Sequence, residues 1–92
     1  MITSTVWIFN GRKATFPSGV FAHREQATSW IALHRLSGVL TEYPVGTGTL
    51  DWAIANQFFL PKKPEHNQAN FIQSFTSARQ RHEHYEEGTL VA

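Results

Sequence analysis

Cysteine is absent from this 92-residue chain, and methionine occurs once. Without thiols there can be no disulfide framework, no thiolate zinc site and no cysteine nucleophile. Long hydrophobic runs are also missing: no apolar stretch approaches the roughly 18 residues needed to span a bilayer. The start, Met1-Ile2-Thr3-Ser4, lacks the basic and apolar regions of a secretory leader, so a cytoplasmic location with no membrane contact is expected. Charge of either sign is sparse. Eight Lys and Arg against seven Asp and Glu leave a net charge of +1, far from the concentrated basic face of a typical nucleic-acid binder.

Aromatic residues, by contrast, are plentiful. Three tryptophans, two tyrosines and seven phenylalanines sit in a chain whose apolar fraction is 41%. A chain this short has room for one modest core, so residues 1–92 are read as a single domain, with 89–92 as a mobile tail.

The pattern along the chain gives an α+β fold. Thr5-Val6-Trp7-Ile8-Phe9 joins β-branched and aromatic residues, and Asn10-Gly11 suits a type I′ turn. A return strand is therefore expected over Arg12 to Phe16, interrupted by Pro17, before Val20-Phe21. Ala27, Trp30, Ile31 and His34 form one helical stripe between Arg24 and Leu36, and Gly38 suits the left-handed position after it. His23 and Ala22 are weak caps for its start. A third strand is expected over Val39 to Val45, and a short helix capped by Thr49 over Leu50 to Phe58. The loop Pro61-Lys62-Lys63-Pro64 then leads to a second helical stripe of Phe71, Phe75, Ala78, His82 and Tyr85, predicting a helix over Asn70 to Glu86 with Gly88 as its C-cap. The element order is ββαβαα: a small antiparallel sheet with helices packed on it. The first strand is apolar on both faces, Val6 and Ile8 on one and Trp7 and Phe9 on the other. Such a strand is usually central and covered on both sides, so the second face needs the C-terminal helices or a second subunit, which motivates a homodimer.

Chemistry is harder to find. Five histidines invite a metal reading, but His82 and His84 at i, i+2 on a helix point about 200° apart, and only a strand or a frayed end would let them chelate together. No HExxH motif occurs, so no metal or cofactor site is assigned. Pro17-Ser18-Gly19-Val20 lacks the paired glycines of a nucleophile elbow, and Gly46-Thr47-Gly48 lacks the lysine of a P-loop. Asp51 reads as a first-turn helix charge. Glu42 reads as a solvent-facing strand position, or as an acid or base if buried. Phe58-Phe59-Leu60 cannot all be buried by one helix face. Arg81, His84 and Glu87 project together from the last helix if His82 and Tyr85 face the core. The candidate binding residues are therefore Asp51, Trp52, Phe58, Phe59, Arg81, His84 and Glu87, with no catalytic residue assigned.

The strings Trp7-Ile8-Phe9-Asn10-Gly11, Phe16-Pro17-Ser18-Gly19-Val20-Phe21, Trp30-Ile31, Leu36-Ser37-Gly38-Val39-Leu40-Thr41, Tyr43-Pro44-Val45, Asp51-Trp52-Ala53-Ile54, Pro61-Lys62-Lys63, Phe71-Ile72-Gln73-Ser74-Phe75-Thr76-Ser77-Ala78 and His82-Glu83-His84-Tyr85-Glu86 resemble a family of small bacterial proteins, a domain of unknown function. The resemblance runs from about Val6 to Gly88. It implies a free-standing protein of bacterial or phage origin and carries no activity with it.

The function expected from these observations is a non-catalytic protein-binding module that occludes a partner surface, as immunity and inhibitor proteins do. One alternative is a small-ligand-binding protein or small enzyme with a pocket near Asp51 and Trp52, using Tyr43 or His34 as further polar groups. A second is a weak nucleic-acid binder using Arg12, Lys13, Lys62, Lys63, Arg79 and Arg81.

Overall fold

A computed structural model describes residues 4–92. Met1, Ile2 and Thr3, part of the start weighed above as a leader, lie outside the described residues. The chain forms two compact units: one comprises the chain up to Val45 together with Gln80–Ala92, and the other is Gly46–Arg79.

The first unit is a five-stranded antiparallel sheet with one helix upon it. Its strands are β1 (Thr5–Gly11), β2 (Gly19–Phe21), β3 (Gly38–Pro44), β4 (His82–Glu86) and β5 (Thr89–Leu90), in the spatial order β2-β1-β3-β4-β5. Helix α1 (Arg24–His34) joins β2 to β3. With α2 (Thr49–Ala55) and α3 (Ala69–Ser74) of the second unit, this is an α+β protein. The order ββαβαα is present through α3 and continues with β4 and β5.

Alternation along β1 sends Trp7 and Phe9 to one face, where both are buried. They meet Leu40 of β3, Tyr85 of β4, and Ala27 and Ile31 of α1, the stripe expected from the sequence. Trp30 closes one side of this core. Its ring stands edge-on to Phe9 at 5.7 Å and lies 5.3 Å from Phe21. Phe9, Ile31 and Leu40 are the largest fully buried side chains, each contributing about 2–3 kcal/mol by removal from water.

Several local expectations give way to the sheet register. Asn10-Gly11 is not the turn, because Asn10 and Gly11 pair with Val39 and Gly38 and extend β1. The chain turns at Lys13, whose φ is 64°, and Pro17 has no N–H to donate, so pairing resumes only at Gly19. Arg35, at φ 53°, takes the left-handed position after α1 and donates its N–H to the Ala32 carbonyl. Gly38 instead begins β3, where a Cβ would collide with the Asn10 carbonyl oxygen and approach Gly11 Cα to 2.8 Å. At the start of α1, Gln26 Oε1 accepts the His23 N–H at 3.1 Å, supplying half a capping box that the residue types before the helix did not suggest. Gly48, not Thr49, is the N-cap of α2.

The largest correction is the expected helix over Asn70 to Glu86. Helix α3 ends at Ser74, Phe75 is extended, and residues 82–86 form β4. In His82-Glu83-His84-Tyr85-Glu86 a period of two wins, because Tyr85 on alternate phase fills the core and the strand pairs with β3. Glu87 (φ 47°) and Gly88 (φ 83°) are the β4–β5 turn, not a helix cap. That turn docks on the end of α1: the Gly88 N–H reaches the Leu36 carbonyl at 2.8 Å, and the Glu87 N–H reaches Ser37 Oγ at 2.9 Å. Residues 89–92, expected as a tail, hold β5 and three further bonds to β4, one of them from the Ala92 N–H to the His84 carbonyl at 3.4 Å. The His84 N–H meets the Ala92 carbonyl, and the Val91 N–H meets the His84 carbonyl, both at 2.8 Å.

The second unit gathers the remaining aromatics. Phe59 packs against His66, Phe71 and Phe75 with ring centroids 5.1–5.6 Å apart. Phe71 and Phe75 keep the four-residue spacing read from the sequence. Between them and Phe59 lies a 3-10 turn at Pro64–Asn67, held by His66 Nδ1, which accepts the N–H groups of Lys62 and Lys63 at 3.1 and 3.3 Å.

Candidate functional site

Antiparallel pairing puts register partners on the same face, so the sheet of the first unit divides cleanly. The helix-covered face carries Phe21, Trp7, Phe9, Leu40, Glu42, Glu83 and Tyr85. Opposite lies an open face with Val20 on β2, Val6 and Ile8 on β1, Val39, Thr41 and Tyr43 on β3, and His82, His84 and Glu86 on β4. No residue of that open set is buried, and Val20 is 64% exposed.

The covered face holds a polar network at the edge of its core. Arg24, the first residue of α1, grips Glu83 with Nε at 3.0 and 3.1 Å and Nη2 at 2.8 Å. Tyr85 donates its hydroxyl to the same carboxylate at 2.8 Å. Burial alone would raise the Glu83 carboxyl, but the hydrogen bonds from Arg24 and Tyr85 outweigh it and hold the group below the ordinary carboxylate range. Burial pushes the Tyr85 phenol up to about 12, reinforced by its bond to Glu83. Both shifts run away from neutrality, opposite to the tuning of a general acid or base. The arrangement ties α1 to β4.

Glu42 belongs to the same face, so its expected solvent-facing position is corrected. Its Oε2 accepts the Thr5 hydroxyl at 2.6 Å, and its Oε1 lies 3.8 Å from Arg81 Nη1. Its side chain is 21% exposed because it stands opposite Trp7 in the register. Arg81 also lies over the Trp7 ring at 5.2 Å.

On the open face, a cleft of about 370 Å³ opens where β1, β3 and β4 meet. Asn10, Arg12, Lys13, Val39, His84 and Glu86 are among its lining residues. Arg12 Nη2 and Glu86 Oε1 approach to 3.2 Å at its rim. Gly38 in its floor lets β1 and β3 close up.

The residues proposed from sequence are thus distributed over several places. Asp51, exposed, and Trp52 lie on α2. Trp52 meets Phe58 at 5.3 Å, Arg79 covers Phe58 at 4.5 Å, and Phe59 centres the second cluster. Of Phe58-Phe59-Leu60, Leu60 is the residue left out, at 69% exposure. Arg81, His84 and Glu87 do not share a face: Arg81 turns to the covered side, His84 to the open side, and Glu87 sits in a turn. The strand period of two separates residues that a helix would have aligned. The pair His82 and His84, weighed from the sequence and set aside because both fall on the expected helix, shares a face in the strand. The segment His82-Glu83-His84-Tyr85-Glu86 has only one apolar residue, Tyr85, so it offers little signal against the helical spacing upstream.

Fold and faces together define a small α+β protein whose sheet is covered on one side by a single helix and open on the other within its own unit. The chain matches the family described as Domain of unknown function (DUF7710) over residues 6–91, and it belongs to that family. The match includes β5 and both compact units. No curated protein and no solved structure matches the chain. Among the described residues, no helix is long and apolar enough to cross a membrane.

Proposed function

We propose that this protein is a non-catalytic protein-binding module that acts by laying the open face of its sheet on a partner and occluding that partner's surface. The observation that carries the reading is the asymmetry of the sheet. One face is filled by α1, while the other presents Val6, Ile8, Val20, Val39 and Tyr43 with none of them buried. A contiguous apolar sheet face rimmed by polar groups is the usual form of an interaction surface. Binding is by the face rather than the edge: the edge strands β2 and β5 have three and two residues, too short to template an added strand. The occupant is a different protein with an apolar centre, and with acidic groups placed to meet Lys13 at the rim. A bacterial or phage accessory protein of the immunity or inhibitor kind fits this mode of action.

Parallel affinity capture from the native host with three forms tests the reading: wild type, Thr41→Glu at the centre of the open face, and Leu33→Glu on the outer side of α1. One partner should be retained by wild type and by Leu33→Glu, and lost by Thr41→Glu. Retention by all three forms, or by none, overturns the proposal. Light scattering distinguishes the other occupant: a dimer that Thr41→Glu dissociates would place a second copy on this face instead.

A second reading, a small-ligand binder, has the cleft beside Asn10, Val39 and His84 in its favour. That position differs from the pocket near Asp51 and Trp52 expected from sequence. The nucleic-acid reading has less support, since Arg12, Arg79 and Arg81 are each engaged with Glu86, Phe58, and Glu42 with Trp7.

A further inference from the structure

His82 and His84 stand on the open face of β4, both exposed, with only Glu83 between them in sequence. Their rings are 5.6 Å apart between centroids, with planes at 81°. Two imidazoles that share one metal ion at the usual Zn–N distance of about 2.0–2.1 Å have centroids roughly 5 Å apart. The observed spacing of 5.6 Å is close to that separation.

The second-sphere contact points the same way. His82 Nδ1 lies 2.8 Å from the Gln80 carbonyl oxygen. A carbonyl oxygen can only accept, so the proton sits on Nδ1 and the Nε2 lone pair is free. Metal-bound histidines are typically oriented in this manner, with the other ring nitrogen donating to a backbone carbonyl, which fixes the tautomer and raises the basicity of the ligating nitrogen. Gln80 is itself buried and donates to the Glu42 carbonyl at 3.2 Å, so the carbonyl that aims His82 is anchored to β3.

We propose that His82 and His84 chelate a divalent transition-metal ion on the open face of the sheet, His82 through Nε2. The described residues supply no group of three or more His, Cys, Asp or Glu side chains placed to hold one ion, so water or an incoming ligand takes the remaining positions. An all-imidazole donor pair on an exposed strand selects borderline ions. The affinity order is copper(II) above nickel(II) and zinc(II), with magnesium excluded. The sheet face next to the pair is also the surface assigned above to a partner, but the metal site does not depend on that assignment.

The test uses untagged protein titrated with nickel(II), zinc(II) and magnesium while the imidazole nitrogens of all five histidines are followed by NMR. Zinc should shift the His82 and His84 resonances together at one ion per chain, with His82 responding at Nε2. Nickel should broaden the same two, and His23, His34 and His66 should stay unmoved. By calorimetry, His82→Asn and His84→Asn should each weaken nickel binding more than about tenfold, and His34→Asn should leave it unchanged. Response centred on another histidine, a His82 response at Nδ1, or nickel affinity unaffected by either substitution overturns the proposal. The wild-type resonances provide a readout that does not rely on any variant folding.

Discussion

The two faces of one sheet are made from the same strands, residue by residue, yet they behave as different surfaces. On β1, Phe9 is 2% exposed beneath α1, while Val20, cross-strand partner of its neighbour Ile8, is 64% exposed on the other side. Both sides carry large apolar residues, aromatic on the covered side and mainly β-branched on the open side, so hydrophobicity alone does not distinguish them. The distinction comes from α1, which covers one face and ties itself there through Arg24 and Glu83. A β-strand apolar on both sides therefore meets two environments: one face is core beneath α1, and the other is the face on which the proposed binding role rests.

The sharpest break of this comparison is a truncation on each side. Phe9→Ala empties a fully packed position and should cost about 3–5 kcal/mol in urea unfolding, a large share of the stability of a domain this size. Val20→Ala on the open face should change stability by no more than about 0.5 kcal/mol. Equal losses would show that the open face also serves as core.

A somewhat smaller effect is expected at Gly38, where the two faces depend on how closely β1 and β3 approach. Gly38→Ala drives a methyl group against the Asn10 carbonyl, Gly11 Cα and the Phe9 ring, the last two at 2.8 Å. Neither backbone contact can swing aside. The loss should be about 3 kcal/mol, accompanied by weakened amide protection at Asn10 and Gly11 in hydrogen exchange. Gly46→Ala is the control. Its φ is positive too, at 86°, but nothing lies within 4 Å of the added methyl, so it should cost only the backbone strain of about 1 kcal/mol.

How much of this was legible beforehand follows the range of the interactions involved. The strand at 5–11 and the α1 stripe of Ala27 and Ile31 were readable because local period and tertiary burial agree there. Asn10-Gly11 misled because its turn preference is weaker than seven register pairs with β3, a strand almost thirty residues away. The segment 82–86 misled for the same reason. Phe71 and Phe75 upstream keep a helical spacing, but the helix ends at Ser74, and pairing with β3 then makes 82–86 a strand. Of the candidate site, His84 was singled out, but its union with His82 required strand geometry that is decided by contacts across the sheet. Arg81 is exposed as expected, but it lies beside Glu42 and over Trp7 on the covered side, away from His84, and neither of those contacts is a sequence neighbour.

The smallest effect tests whether the covered face is held by chemistry as well as by packing, through the pH dependence of Glu83 and Tyr85. The phenol of Tyr85 titrates near 10 in the unfolded chain and is pushed up to about 12 in the fold. A raised folded value means the stabilisation is fully present below pH 10 and disappears as the pH climbs through 12. The shift corresponds to about 3 kcal/mol across that window. Glu83 shifts the other way. Its folded value is depressed, so its contribution is present above the ordinary carboxylate range and is lost as the pH falls through the folded value. Tyr85→Phe keeps the ring in the core and removes the hydroxyl. It should cost about 1–2 kcal/mol at neutral pH, abolish most of the alkaline loss, and move the acid loss to higher pH, because one of the bonds that depresses Glu83 is gone. Urea midpoints measured across pH, with tyrosinate absorbance as a parallel signal, check each part. An alkaline limb that survives in Tyr85→Phe would show that the Tyr85 hydroxyl does not set it.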